Sequence, residues 1–140
     1  KLFSQLYDKS QNKEYLYRSL ANLVLAKKYQ ETIKMVNKNR SKYPQEYRLV
    51  RYKVISLIQM KKLDEALVIS TDLVKNSKEP SDYLLMGDIY IKQGKFDIAL
   101  RYLQSAYVKE YDEKILDKIA IVMYVNLGKK KEAIAQLETH

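Results

Sequence analysis

The chain has 140 residues, of which 46% are hydrophobic, and a net charge of +9, so it is long enough for one folded domain and too apolar to remain disordered. The absence of cysteine excludes disulfides and thiolate chemistry, and the scarcity of glycine (3) and proline (2) argues against a many-stranded sheet and for helices. No run of 18 apolar residues is present, which excludes a membrane-spanning helix.

The first twelve residues, 1–12, are predicted to end the second helix of a preceding repeat, with Leu2 and Leu6 on its buried side. Because the chain begins at Lys1 rather than at a methionine, we expect it to be part of a longer array. No polar capping helix follows the C-terminal segment, so the alternative expectation is that a partner or self-association covers the ends. The sequence leaves the compartment open, since a soluble protein of this kind suits the cytoplasm and the periplasm.

Four similar segments recur along the chain: KKYQETI (27–33), KKLDEAL (61–67), GKFDIAL (94–100) and GKKKEAI (128–134). Each contains a small residue before an aliphatic one, and the small residues Thr32, Ala66, Ala99 and Ala133 lie 34, 33 and 34 positions apart. Apolar residues within each period recur at helical spacing, which predicts two helices joined by a short turn. The predicted repeats of this single domain are 13–46, 47–79, 80–113 and a truncated 114–140.

The third repeat carries a specific pattern of bulky and small residues: Tyr83, Met86-Gly87, Tyr90, Ala99 and Leu103. On these residues the chain resembles the tetratricopeptide repeat (TPR) family. The second repeat departs most from the pattern, with Lys53 and Ser70 at positions where the family has apolar residues. The resemblance implies an all-α, right-handed α-solenoid of antiparallel helix pairs, a TPR-like superhelix.

Glycine is placed where the predicted helix pairs turn in the third and fourth repeats, at Gly94 and Gly128. Glycine adopts the left-handed conformation that ends a helix without a steric penalty. Lys27 and Lys61 stand at the matching positions of the first two repeats, where a side chain costs about 1 kcal/mol. We therefore expect these two turns to be looser or of another type.

The Gly94-Lys95 pair suggests a phosphate-binding loop, but the spacing excludes one. Gly87 and Gly94 are separated by six residues rather than four, and Lys95 is followed by Phe96 rather than by serine or threonine. The single histidine is the terminal residue, His140, and the carboxylates are scattered or occur as surface pairs. The sequence therefore predicts no catalytic, cofactor or metal site.

The thirteen tyrosines and the basic clusters raise the possibility of nucleic-acid binding. The TPR pattern assigns five tyrosines to the interior, and only Tyr17 to a ligand-facing position. Basic residues concentrate on the predicted second helices, which face outward. These residues form either a solvated surface or a surface that binds nucleic acid. The interior tyrosines are Tyr29, Tyr83, Tyr90, Tyr107 and Tyr124, and the basic clusters are Lys34, Lys38, Arg40 and Lys42 and the run 129–131.

First helices line the inner groove of TPR proteins, where a partner peptide or helix usually binds. Extending the helical spacing predicts an apolar groove with basic residues toward one edge, although the same residues would also suit packing between adjacent helices. The predicted groove residues are Tyr17, Ala21, Val24, Arg48, Arg51, Ile55, Ile58, Leu84, Asp88, Ile91, Lys118, Val122 and Val125.

These features predict a non-catalytic scaffold that binds an acidic or amphipathic protein partner in its concave groove. Two alternatives remain open at this level. One is nucleic-acid binding through the basic outer face, and the other is a purely architectural segment of a larger protein.

Overall fold

The structure is a computed structural model that describes residues 1–126, 135, 137 and 138. The described part consists of helices and their connections, without strands. The helices are α1 (Leu2–Ser10), α2 (Lys13–Leu25), α3 (Tyr29–Arg40), α4 (Tyr47–Gln59), α5 (Leu63–Asn76), α6 (Pro80–Lys92), α7 (Phe96–Lys109) and α8 (Glu113–Ile121), and a π-helical segment (Val122–Asn126) follows α8. None of the described helices is long and apolar enough to cross a membrane.

The first helices of the four repeats are α2, α4, α6 and α8. Local capping explains where three of them begin. The Asn12 side chain accepts a hydrogen bond from the Glu14 amide (3.0 Å) at the start of α2, and the Asp112 side chain accepts one from the Lys114 amide (2.9 Å) at the start of α8. Helix α6 begins with Pro80, whose missing N–H is no loss in the first turn. First helices thus begin at residues 13, 47, 80 and 113, at intervals of 34, 33 and 33.

The three turns that join α2 to α3, α4 to α5 and α6 to α7 have one geometry. Lys27, Lys61 and Gly94 have positive φ angles of 59°, 63° and 78°. In each turn this residue donates its amide hydrogen bond to the carbonyl three positions earlier, and the next residue donates to the carbonyl five positions earlier. This is the Schellman motif.

The expectation that the turns at Lys27 and Lys61 differ from the turn at Gly94 is therefore wrong. The two hydrogen bonds satisfy carbonyls at the end of the helix, and each contributes about as much as the left-handed conformation of a lysine costs. The lysine side chains are exposed, so nothing opposes them sterically. The corresponding prediction for Gly128 lies outside the described residues, as do Ala133, the basic run 129–131 and His140.

Contacts divide the chain into two compact units, residues 1–66 and residues 67–140, which are described separately. In the first unit α2 packs against α1, α3 and α4, and α3 packs against α4. Thr32, the small residue of the first repeat, is fully buried and donates its hydroxyl hydrogen bond to the Lys28 carbonyl (2.9 Å). The core residues are Tyr7, Leu16, Tyr17, Leu20, Val36 and Leu49.

In the second unit α6 packs along α7, and α7 contacts α8 and the π-helical segment. Gly87 permits the close approach of α6 to α7, because a Cβ at this position would lie 2.9 Å from Cδ2 of Leu103. The core residues are Leu100, Leu103, Ala106, Ile115, Ile119, Ala120, Val122 and Met123.

Two expectations about buried side chains are wrong. Leu2 is 63% exposed, and Tyr7 is the buried residue of α1. Tyr124 is 47% exposed rather than interior, because Val122 and Met123 of the same segment take the core positions. The other four tyrosines assigned to the interior are half-buried, so their rings pack while their edges remain accessible.

Candidate functional site

The predicted groove residues differ in how accessible the structure leaves them. Tyr17, Ile58 and Val122 are buried, and Val122 belongs to the core of the second unit, so these side chains offer a partner little surface. The Val125 side chain lies outside what the structure describes. Arg48 is exposed, and the half-buried members are Ala21, Val24, Arg51, Ile55, Leu84, Asp88, Ile91 and Lys118.

A polar network in the first unit joins α2 to the start of α4. The Glu46 carboxylate accepts hydrogen bonds from Lys13 Nζ (2.6 Å) and from the Tyr17 hydroxyl (2.7 Å). These hydrogen bonds, that from Lys13 first, hold the pKa of Glu46 below its usual value. Burial, followed by the hydrogen bond to Glu46, raises the pKa of Tyr17. The carboxylate is therefore charged and the phenol neutral at physiological pH.

Two predicted groove residues, Arg48 and Tyr17, meet beside this network. The Arg48 guanidinium carbon lies 4.0 Å from the centre of the Tyr17 ring, which is within cation–π distance. Nη1 of Arg48 is also 3.9 Å from a Glu14 carboxylate oxygen. The Arg48 side chain remains half accessible, so a partner's carboxylate can still reach it.

Two further predicted groove residues meet in the second unit, where Lys118 of α8 forms an ion pair with Asp88 of α6. One helical turn to either side of Asp88, Leu84 and Ile91 pack against the core of this unit while remaining half-buried. The pair neutralises both charges locally. What this part of α6 offers a partner is therefore apolar surface next to a neutral ion pair.

Sequence reasoning missed Glu46 and Tyr102. Glu46 precedes α4 at a position where an acidic cap is common, but only the folded chain shows its contacts with residues 29 and 33 positions earlier. The Tyr102 ring stacks on Tyr90 at 5.6 Å between centroids and lies 6.5 Å from Tyr83. The only sequence signal for Tyr102 was the total of thirteen tyrosines, which is more than the repeat pattern assigns to the interior.

The described residues contain no cluster of histidine, aspartate and glutamate suited to a metal ion. The polar groups near the predicted groove instead form ion pairs and hydrogen bonds with one another.

Comparisons with known proteins agree with this architecture. The family model described as ChAPs (Chs5p-Arf1p-binding proteins) matches residues 1–135. The solved structure "MamA 41-end from Desulfovibrio magneticus RS-1" is 18% identical, covers 94% of this chain and 75% of its own, and has a TM-score of 0.76. "MamA RS-1 ArsTM double mutant" is 17% identical over 97% and 78% of the two chains, with a TM-score of 0.76. No curated protein matches the chain significantly.

At these identities the solved structures show the fold alone, and they confirm the predicted fold class: the chain is an all-α protein of the TPR-like, helical-repeat type.

Proposed function

The chain belongs to the family of ChAPs (Chs5p-Arf1p-binding proteins), and from this premise we propose that it is a non-catalytic scaffold that binds protein partners. The family match over residues 1–135 is the observation that carries the proposal, because its description names binding to proteins. Chs5p and Arf1p are accordingly the first partners to test.

The repeats of this scaffold are proposed to be tetratricopeptide repeats. The recurrence of first helices at intervals of 34, 33 and 33 residues supports this assignment. So does the complete burial of the small residues Thr32, Ala66 and Ala99, where the family pattern requires close approach. Gly87 fits the same pattern, because α7 leaves no space there for a side chain.

The binding residues are proposed to lie on the first helix of each repeat, where the accessible members of the predicted groove are found, in each of the two units by itself. Half-buried Ile55 and Leu84 supply apolar anchors. Partly accessible Arg48 supplies a cation, which lies against the face of the Tyr17 ring. A partner segment that buries apolar side chains here draws its affinity from a few such anchors. Arg48 and Arg51 then favour a partner with acidic residues beside its apolar ones, whereas Asp88 neutralises the charge of Lys118.

The test is to replace the apolar anchors one at a time with a charged residue and measure binding to purified Chs5p and Arf1p. Ile55→Asp and Leu84→Asp are expected to weaken binding at least tenfold, because each buries an unpaired carboxylate in the interface. Val68→Asp and Val108→Asp are the matched controls. These valines are 70% and 68% exposed on second helices, so their replacement is expected to leave affinity within about twofold.

Circular dichroism and thermal melting separate binding from folding. Retained helicity with lost binding supports the proposed surface. Unfolding of Ile55→Asp or Leu84→Asp would show that the residue is core and would overturn its role as an anchor. Equal losses in the control variants would place the interface elsewhere, and absence of binding to both proteins would contradict the proposed function.

A further inference from the structure

The second unit contains an open cleft between the start of α6 and one face of α7, which is separate from the predicted groove. This α6–α7 cleft has a volume of about 550 Å³, within the range of about 300–1,000 Å³ that is typical of binding sites. Its α7 residues are three or four positions apart, so they share one face of the helix. The lining residues are Tyr83 of α6 and Arg101, Gln104, Ser105, Val108 and Lys109 of α7.

The charges that line the α6–α7 cleft are both positive. Arg101 and Lys109 are exposed, and no carboxylate belongs to the lining. Neither cation takes part in an ion pair within the described part of the chain. The cleft is therefore complementary in charge to an acidic occupant.

Three carboxylates are close to the cleft in sequence but do not cancel its charge. Asp82 is fully buried and accepts a hydrogen bond from the Glu79 amide (3.1 Å), so its carboxylate is directed to the start of α6. Asp97 and Glu110 are exposed, and among the described residues neither forms an ion pair with a cation of the cleft. The two cations remain available to a partner.

The positions of the two cations set the spacing of the groups that they can bind. Arg101 and Lys109 are eight residues apart on α7, which is about 12 Å along the helix axis. In an extended segment, residues four positions apart share a face and are separated by about 13 Å. Between the cations, Val108 offers apolar surface that is 68% exposed, and Gln104 offers an exposed amide that can both donate to and accept from a peptide backbone.

We propose that the α6–α7 cleft docks an extended protein segment that carries two acidic residues four positions apart, with an apolar residue between them. One carboxylate pairs with the planar guanidinium of Arg101 and the other with Lys109, while the apolar side chain packs against Val108. The cleft uses none of the predicted groove residues, and its occupant is a different segment from the one proposed for the groove. The inference therefore does not rest on the function proposed above.

The α6–α7 cleft suits a protein segment better than single-stranded nucleic acid. Tyr83 supplies the aromatic ring of the lining, and Lys109 Nζ lies 5.1 Å from the centre of that ring. The Tyr102 ring is 6.5 Å away. Single-stranded nucleic acid requires open ring faces on which successive bases stack, beside a track of phosphate contacts. An extended peptide requires two cations at the right spacing and apolar surface between them, which this cleft supplies.

The probe is a nine-residue peptide with blocked ends, glutamate at positions 3 and 7, leucine at position 5 and serine elsewhere. It is titrated into the isotope-labelled 140-residue chain and followed by heteronuclear NMR, in which the amide signals of residues 101–109 are expected to shift most. The double variant Arg101→Gln/Lys109→Gln is expected to lower affinity about fivefold, because exposed ion pairs are individually weak. Val108→Asp is expected to lower affinity at least fivefold, since it places a carboxylate beside those of the peptide.

Matched controls separate the cleft from the general charge of the chain. Lys92→Gln/Lys95→Gln removes the same charge from exposed positions of the same unit that do not line the cleft, and is expected to change affinity less than twofold. Val68→Asp, at a valine that is 70% exposed on α5, is the control for Val108→Asp. A peptide of the same composition with its glutamates at positions 3 and 4 is expected to bind about threefold more weakly, because it reaches one cation at a time.

Four results would overturn the inference: no measurable binding at millimolar peptide, equal losses in the two double variants, equal binding of the two peptides, or tighter binding of single-stranded RNA or phosphatidylserine vesicles with the same dependence on Arg101 and Lys109. Circular dichroism that shows retained helicity in each variant establishes that the losses are local. The groove variant Ile55→Asp is expected to bind the peptide normally, so failure of this inference and failure of the proposed scaffold function are distinguishable.

Discussion

Glu46 ties together parts of the first unit that are distant in sequence. Its two carboxylate oxygens accept hydrogen bonds from Lys13 and Tyr17 of α2, while its backbone stands just before α4. Charge-assisted hydrogen bonds of this kind are stronger than neutral ones. The arrangement also fixes the Tyr17 ring, on whose face Arg48 lies. One carboxylate thus supports both the fold and the orientation of a proposed binding residue.

Glu46→Gln is expected to lower the free energy of unfolding by up to about 1 kcal/mol at pH 7, since the ion pair is partly exposed. The folded pKa of Glu46 lies below its unfolded value, which is about 4.3. Its stabilising contribution is therefore present above that value and is lost as pH falls through the folded pKa. Urea titrations of the wild type and the variant should differ at pH 7 and converge in acid.

Glu65→Gln provides the control, because Glu65 is an exposed carboxylate of α5. If it reproduces the loss caused by Glu46→Gln, the effect is one of net charge. A Glu46→Gln difference that persists unchanged into acid would show that shape, rather than ionisation, explains the contribution of Glu46.

At the scale of the element, the shared turn geometry explains how α2–α3, α4–α5 and α6–α7 are joined alike despite different sequences. Hydrogen bonds to two carbonyls fix the chain path in each turn. Glycine is the residue best suited to the left-handed position, but only one of the three turns has it. Lysine at the other two therefore stores strain that a substitution can release.

Lys61→Gly is expected to raise the free energy of unfolding by about 0.5–1 kcal/mol, because it removes the left-handed strain at φ 63°. Gly94→Lys should lower it by a similar amount. A Cβ at Gly94 would meet nothing within 4 Å, so the loss comes from backbone strain alone. Urea denaturation of the wild type and of both variants measures these changes in the free energy of unfolding.

Lys62→Gly is the control for the glycine effect, since Lys62 is the next residue and does not have a positive φ. It is expected to destabilise slightly through added freedom of the unfolded chain. Stabilisation by Lys62→Gly, or none by Lys61→Gly, would contradict the strain argument.

The helices were predictable because apolar spacing and a recurring small residue both reflect packing between neighbouring elements. The geometry of the turns at Lys27 and Lys61 was not predictable. The preference of a left-handed position for glycine is only about 1 kcal/mol, and hydrogen bonding and packing easily outweigh it. The candidate site was predictable only in part. Helical spacing assigns a face, but it did not show that Ile58 and Val122 are buried, or that Asp88 meets Lys118.

At the scale of the whole molecule, the net charge of +9 bears on partner choice more than on folding. An excess of positive charge attracts an acidic protein and a nucleic acid alike, so composition alone does not separate the two classes. They differ in what happens after the encounter. A protein partner is retained by buried apolar anchors, whereas nonspecific nucleic-acid binding is retained by phosphate contacts.

Salt dependence of the rate constants distinguishes these classes. For an acidic protein partner, raising NaCl from about 0.05 to about 0.5 M should slow association roughly tenfold, because steering is screened, and change dissociation less than about twofold. Stopped-flow fluorescence with Chs5p and Arf1p measures both constants. For duplex DNA, the logarithm of the binding constant should fall by about 0.9 per tenfold salt for each phosphate contacted. Tighter binding to DNA than to either protein at 0.15 M salt would favour the nucleic-acid alternative. An association rate constant that does not change with salt concentration would contradict a role for the net charge.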